Sequence, residues 1–149
     1  MTNKITLLFG LACLLGTPGC WDPTGSVAPS QPGSEPDLTI EHFAVDRAPK
    51  PGEPFNVTVG VGNMGQGTAQ AGAVVQWFAR QGDLFPSCEW TLPAIGVREQ
   101  IRMHCEYAGY SSASANVNMK TEVDVYDFVD EGDPAREANN VFIYRVPVR

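Results

Sequence analysis

Apolar and polar residues alternate through most of the chain after Asp37, and the clearest run is Phe55, Val57, Val59 and Val61 set against Asn56, Thr58 and Gly60. A period of two sends successive side chains to opposite faces of a sheet, so this run predicts a strand. Before it, Leu38 and Ile40 alternate with polar neighbours, and Phe43 and Val45 resume the pattern one residue out of phase. That slip predicts an edge-type first strand with a bulge near His42. Residues 73–80, AVVQWFAR, are apolar on both faces and predict a central strand. Trp77 within it is expected to fill the space between two sheets in preference to stacking on a carbohydrate. Further on, Cys88, Trp90 and Leu92 share a face, as do Ile101, Met103, Cys105 and Tyr107, with Arg102, His104 and Glu106 turned the other way.

The chain closes with two more alternating runs, Val117 to Val125 and Val141 to Val146, separated by an acidic stretch. They predict a final antiparallel hairpin. Gly132, Pro134, Asn139 and Asn140 lie between them, residues that tolerate positive φ or pre-set φ and so turn the chain. Proline and glycine also punctuate residues 48–54 (APKPGEP), and residues 62–72 (GNMGQGTAQAG) form a glycine-rich loop. This loop has neither the lysine nor the Ser/Thr of a phosphate-binding loop and precedes a strand, so it reads as a turn. No stretch of ten or more residues after Asp37 has a helical period. The fold class is therefore an all-β, antiparallel sandwich of about seven strands, one domain in size.

Two sets of residues carry a family resemblance. One is Val129, Glu131, Glu137, Asn139 and Asn140 before the last strand; the other is the V-x-N-x-G piece from Val61 to Gly65. Together they resemble the CARDB domain, the bacterial cell-adhesion-related module. The resemblance implies an immunoglobulin-like sandwich, an extracytoplasmic setting and no catalysis.

The first 36 residues have a different character. Lys4 gives a positive amino-terminal charge, residues 5–15 are apolar apart from Thr6 and Gly10, and small residues lead up to Cys20. This is the layout of a secretory signal over residues 1–19, and it is too short to span a bilayer as a helix. Gly19 directly before Cys20 points to diacylation of that cysteine, as in a bacterial lipoprotein; ordinary cleavage nearby is the alternative. Residues 20–36 then read as a disordered Pro/Ser-rich tether of the kind that lifts an anchored domain clear of headgroups, spanning on the order of 20 to 30 Å. The folded domain is expected over 37–149.

Charge and chemistry narrow the function by exclusion. The chain carries 10 Lys or Arg against 17 Asp or Glu, a net charge of −7, which repels nucleic acid and anionic headgroups. Loss of Lys4 with the signal makes it one unit more negative, so membrane contact is expected through the lipid. His42 and His104 are the two histidines, and no G-x-S-x-G, H-E-x-x-H or C-x-x-C accompanies them, so hydrolase and zinc chemistry are not expected. Of the four cysteines, Cys13 belongs to the signal and Cys20 to the anchor. Cys88 and Cys105 remain, and an oxidising compartment should join them in a disulfide between neighbouring strands across the core side of one sheet.

The acidic stretch is the one place where calcium enters consideration, with Asp127, Asp130, Glu131 and Asp133 as candidate oxygen ligands. An EF-hand register with Gly132 at its sixth position puts Val129 and Ala138 at ligand positions, so a solvated turn without metal is the expectation. The function expected is a non-catalytic binding or structural module at the cell envelope, facing a protein or glycan partner. The alternative is an inhibitor or accessory subunit of an exported enzyme.

Overall fold

The structure is a computed structural model that describes residues 34–112 and 116–148. The signal over 1–19, the acylation expected at Cys20 and the tether as far as residue 33 lie outside the described residues. Among the described residues the strands are β1 (Leu38–Val45), β2 (Phe55–Asn63), β3 (Val74–Phe78), β4 (Cys88–Thr91), β5 (Gln100–Tyr107), β6 (Val117–Val123) and β7 (Val141–Val146), with one four-residue helix, α1 (Pro134–Glu137). They form a three-stranded sheet of order β1-β2-β5 and a four-stranded sheet of order β4-β3-β6-β7, every pairing antiparallel. The chain changes sheet between β2 and β3, between β4 and β5, and between β5 and β6, the immunoglobulin-like arrangement.

Each element follows from its sequence pattern. In β2 the residues Phe55, Val57, Val59 and Val61 are all buried, and the strand is central in its sheet. The register of β1 against β2 slips between Ile40 and His42, the expected bulge. It lets Phe43 and Val45 rejoin the inward face. Trp77 in β3 is fully buried, with its ring edge-on to Phe55 and Tyr107, so it fills the inter-sheet space as expected. Tyr110 is also buried against this cluster, and its hydroxyl donates to the Ala79 carbonyl at 2.8 Å.

Two expectations change. β6 ends at Val123, because Asp124 takes φ +53° and turns the chain out of the sheet. The Cys88–Cys105 disulfide does form, with a Cα separation of 6.4 Å, but it does not join neighbours in one sheet. Cys88 begins β4 and Cys105 lies in β5, edge strands of opposite sheets. The segment between the two strands is a crossover from one sheet to the other, in which Ile95 is buried and bridges Ala69. One open side of the sandwich is thus closed by a covalent link between sheets. The other is closed by Phe43 of β1 stacked on Tyr144 of β7, with centroids 3.7 Å apart.

The packed domain also starts before Asp37. Pro36 is buried, and the Glu35 carbonyl accepts from the backbone N–H groups of Gln66 and Gly67 at 3.0 and 3.1 Å. These backbone bonds attach to the domain residues whose composition had placed them with the tether.

Candidate functional site

Residues 61–65 and 129–140 are far apart in the chain, yet they meet at one end of the sandwich around the start of β1. Asn63 ends β2 fully buried. Its Oδ1 accepts from Asp37 N and Gly65 N, both at 3.0 Å, and its Nδ2 donates to Gly67 O at 2.7 Å and Ile95 O at 3.0 Å. Two lone pairs and two N–H groups are all used, which a buried amide requires. A Cβ on Gly65 would collide with the backbone of residues 35–37. Glycine is needed there because the loop and the incoming chain touch backbone to backbone.

The acidic stretch forms the other half of the junction, and its carboxylates are used internally. The Asp124 oxygens accept from Phe128 N at 3.0 Å and Val129 N at 2.7 Å, which drives Val129 into the core. Asp130 Oδ1 accepts from Gly132 N at 2.9 Å, where φ is +73°. Asp133 caps α1 by accepting from Ala135 N at 2.8 Å, ahead of a proline in the first turn; this is the helix start that Asp-Pro favours. Asp127 is exposed at φ +52°. Glu131 is fully buried, and its Oε1 accepts from Leu38 N at 2.7 Å. Asn139 Nδ2 donates to Asp37 Oδ1 at 3.0 Å, and Arg136 donates to the Glu131 carbonyl at 3.0 Å.

Residues 37 and 38 are therefore held by three side chains from two distant segments: Asn63, Glu131 and Asn139. Burial pushes the Glu131 carboxyl up to about 7, and the carboxylates of Glu137, Asp37 and Asp124 push in the same direction, while the Leu38 N–H opposes them. Its Oε2 has no hydrogen-bond partner among the described residues. Glu137 is raised mainly by burial; it accepts from Glu131 N at 3.4 Å and from Asn140 Nδ2 at 3.2 Å.

The four candidate calcium ligands are thus distributed, not convergent: Glu131 points inward to β1, Asp130 and Asp133 serve their own loop, and Asp127 faces solvent. Among the described residues no group of three or more His, Cys, Asp or Glu could hold a metal ion. A cleft of about 200 Å³ opens beside the loop, lined by Glu122, Asp124, Glu137, Asn140 and three valines. His42 and His104 lie two strands apart on the outer face of the three-stranded sheet, where His104 Nδ1 bonds Thr58 Oγ1 at 3.0 Å. The reach of Glu131 across 93 residues to Leu38 left no local trace in the sequence. Its position in the family pattern was the only signal.

The comparisons agree with the fold. The CARDB domain of the PF1109 protein from Pyrococcus furiosus, crystallised in complex with di-metal ions, matches with TM-score 0.63 at 22% identity, covering 77% of this chain and 90% of that one. A solution structure of the same domain gives 0.62 at 22% identity, covering 77% and 96%. No curated protein matches the chain. The CARDB family model matches residues 35–143, which span both sheets and both halves of the junction, and the chain belongs to the CARDB family.

Proposed function

We propose that the chain is a non-catalytic binding or structural module of adhesion type, exported and held at the cell envelope by a lipid on Cys20, with a protein or glycan as its partner. The observation that carries this reading is the Cys88–Cys105 bridge within a CARDB sandwich. A stable disulfide belongs to an oxidising compartment outside the cytosol. The apolar leader, Gly19 and the Pro/Ser-rich residues after Cys20 supply the anchor. The chain's negative charge leaves the lipid as the membrane contact. The test is direct: Cys20→Ser should move the protein from the membrane fraction to the soluble extract, and equal membrane association of the variant would overturn anchoring at this residue.

The di-metal complex of the PF1109 domain raises the same question for this chain. Asp127, Asp130, Glu131 and Asp133 do not fit a shared cation, since three of them are occupied by backbone N–H groups. Millimolar calcium is therefore expected to leave the melting temperature unchanged, because a ligand stabilises only through preferential binding to the native state. A rise of several degrees with calcium but not magnesium would show that the loop rearranges to bind it.

A further inference from the structure

We infer that the edge of β7, unpaired among the described residues, is a self-association surface, on which a second copy of this chain pairs antiparallel about Ile143 to join two four-stranded sheets into one.

Unpaired sheet edges invite pairing, and proteins blunt them with bulges, charges or short strands. Three of the four edges here are blunted. β1 carries the bulge before His42, β4 is four residues long, and β5 alternates Arg102, His104 and Glu106 along its length. β7 has no such device over its first four residues, Val141, Phe142, Ile143 and Tyr144. The first three are 47, 45 and 47% exposed.

The register says which backbone groups are free to pair. Val123 N donates to Asn140 O at 2.9 Å, and Glu122 lies opposite Val141. In an antiparallel ladder hydrogen-bonded and non-bonded pairs alternate. Phe142, Tyr144 and Val146 therefore bond back to β6, while the N–H and C=O groups of Val141, Ile143 and Arg145 point outward. Outward groups at alternate positions are what an added strand needs.

Charge and side-chain pairing choose a second copy as the occupant. With a two-fold axis at Ile143, each copy's Ile143 meets its counterpart and Phe142 lies opposite Tyr144 of the other copy, aromatic pairs of the kind that stabilise sheets. Arg145, the only charged residue of β7, falls beside Val141 of the other copy. Glu122, already paired with Lys120 at 3.0 Å, flanks that valine on β6, at the end of the sandwich where the acidic loop with the exposed Asp127 and Asp130 begins. Each copy thus brings its strand cation to the other's acidic end, twice per dimer. The inference is independent of anchoring and of the envelope partner, because association would occur in the lipid-free chain.

The test uses the chain from residue 21 onward, made in an oxidising compartment, since it carries both sheets and the whole core. Sedimentation equilibrium from micromolar to millimolar concentration should show a reversible monomer–dimer equilibrium. Ile143→Lys, which sets two cations on the axis, should raise the dimer dissociation constant at least tenfold without changing the circular dichroism spectrum. Ile143→Cys should give a covalent dimer under mild oxidation, because a bonded antiparallel pair has a Cα separation of about 5.5 Å, within disulfide range. Arg102→Cys on the β5 edge should not. A monomer at every concentration overturns the proposal. So does a dimer indifferent to Ile143→Lys, or cross-linking at position 102 as efficient as at 143.

Discussion

Replacing both Cys88 and Cys105 by alanine is expected to lower the unfolding free energy by about 3 kcal/mol, the chain-entropy value for a loop of this size. The two residues are 17 apart in sequence, so the closed loop is short, but what it closes matters more than its length. It contains the crossover from β4 to β5, where the chain leaves one sheet and joins the other. Without the bridge, β4 keeps only its ladder to β3, and the side of the sandwich between β4 and β5 is held by side-chain packing alone. For a domain of this size the loss corresponds to a fall in melting temperature of roughly 10 °C. Urea unfolding of the oxidised, reduced and double-alanine proteins measures it. The reduced and double-alanine proteins should agree; equality of either with the oxidised protein would show that the bridge contributes nothing to stability.

Glu131 gives the second large effect, and here two substitutions should act in opposite directions. Glu131→Ala removes the acceptor of the buried Leu38 N–H and leaves a void, at a cost of about 3 kcal/mol near pH 4.5, where the parent carboxyl is protonated, and the difference shrinks as pH rises. Glu131→Gln keeps an acceptor in place and removes the charge. The folded carboxyl titrates at about 7, raised from 4.5 chiefly by burial. Between those values the native state holds a proton that the unfolded chain has lost, so native stability falls as pH rises through this window and is level above it. The total is on the order of 3 kcal/mol. The glutamine variant lacks this slope: it should match the parent protein near pH 4.5 and exceed it at pH 8. Parallel stability–pH curves for the two proteins would refute the buried-carboxylate account.

How much of this was legible beforehand depends on how local the signal is. The alternation in β2, the both-faces-apolar β3 and the phase slip at His42 are properties of neighbouring residues, and each is reproduced in the structure. The pairing of Cys88 with Cys105 was legible by counting thiols. Its geometry was not, because a hairpin and a crossover between the same two strands leave identical alternation in the sequence. The acidic stretch was legible in part, since Asp127, Asp130 and Asp133 are exposed as a solvated turn requires. Clustered Asp and Glu suggest a solvated turn, but a carboxylate can serve its own backbone, as Asp124, Asp130 and Asp133 do. Helix α1, at four residues, is too short to carry a period. Asn63 was visible as part of the V-x-N-x-G piece, though only the folded chain shows that its target is Asp37.

The junction at residues 37 and 38 has a mechanical side. If the chain before residue 35 is the tether, a pull between anchor and partner meets the backbone bonds of Gln66 and Gly67 to the Glu35 carbonyl first and this junction next. Asn63, Glu131 and Asn139 grip adjacent residues, so a load applied there is shared among three bonds that must fail together before β1 can peel from β2. Two of the three come from the segment of the acidic loop, and one of these is the Glu131 carboxyl, which burial pushes up to about 7. The force the domain withstands would then depend on the acidity of its surroundings, a property that pulling the chain from its amino-terminal side at pH 5 and pH 8 would reveal.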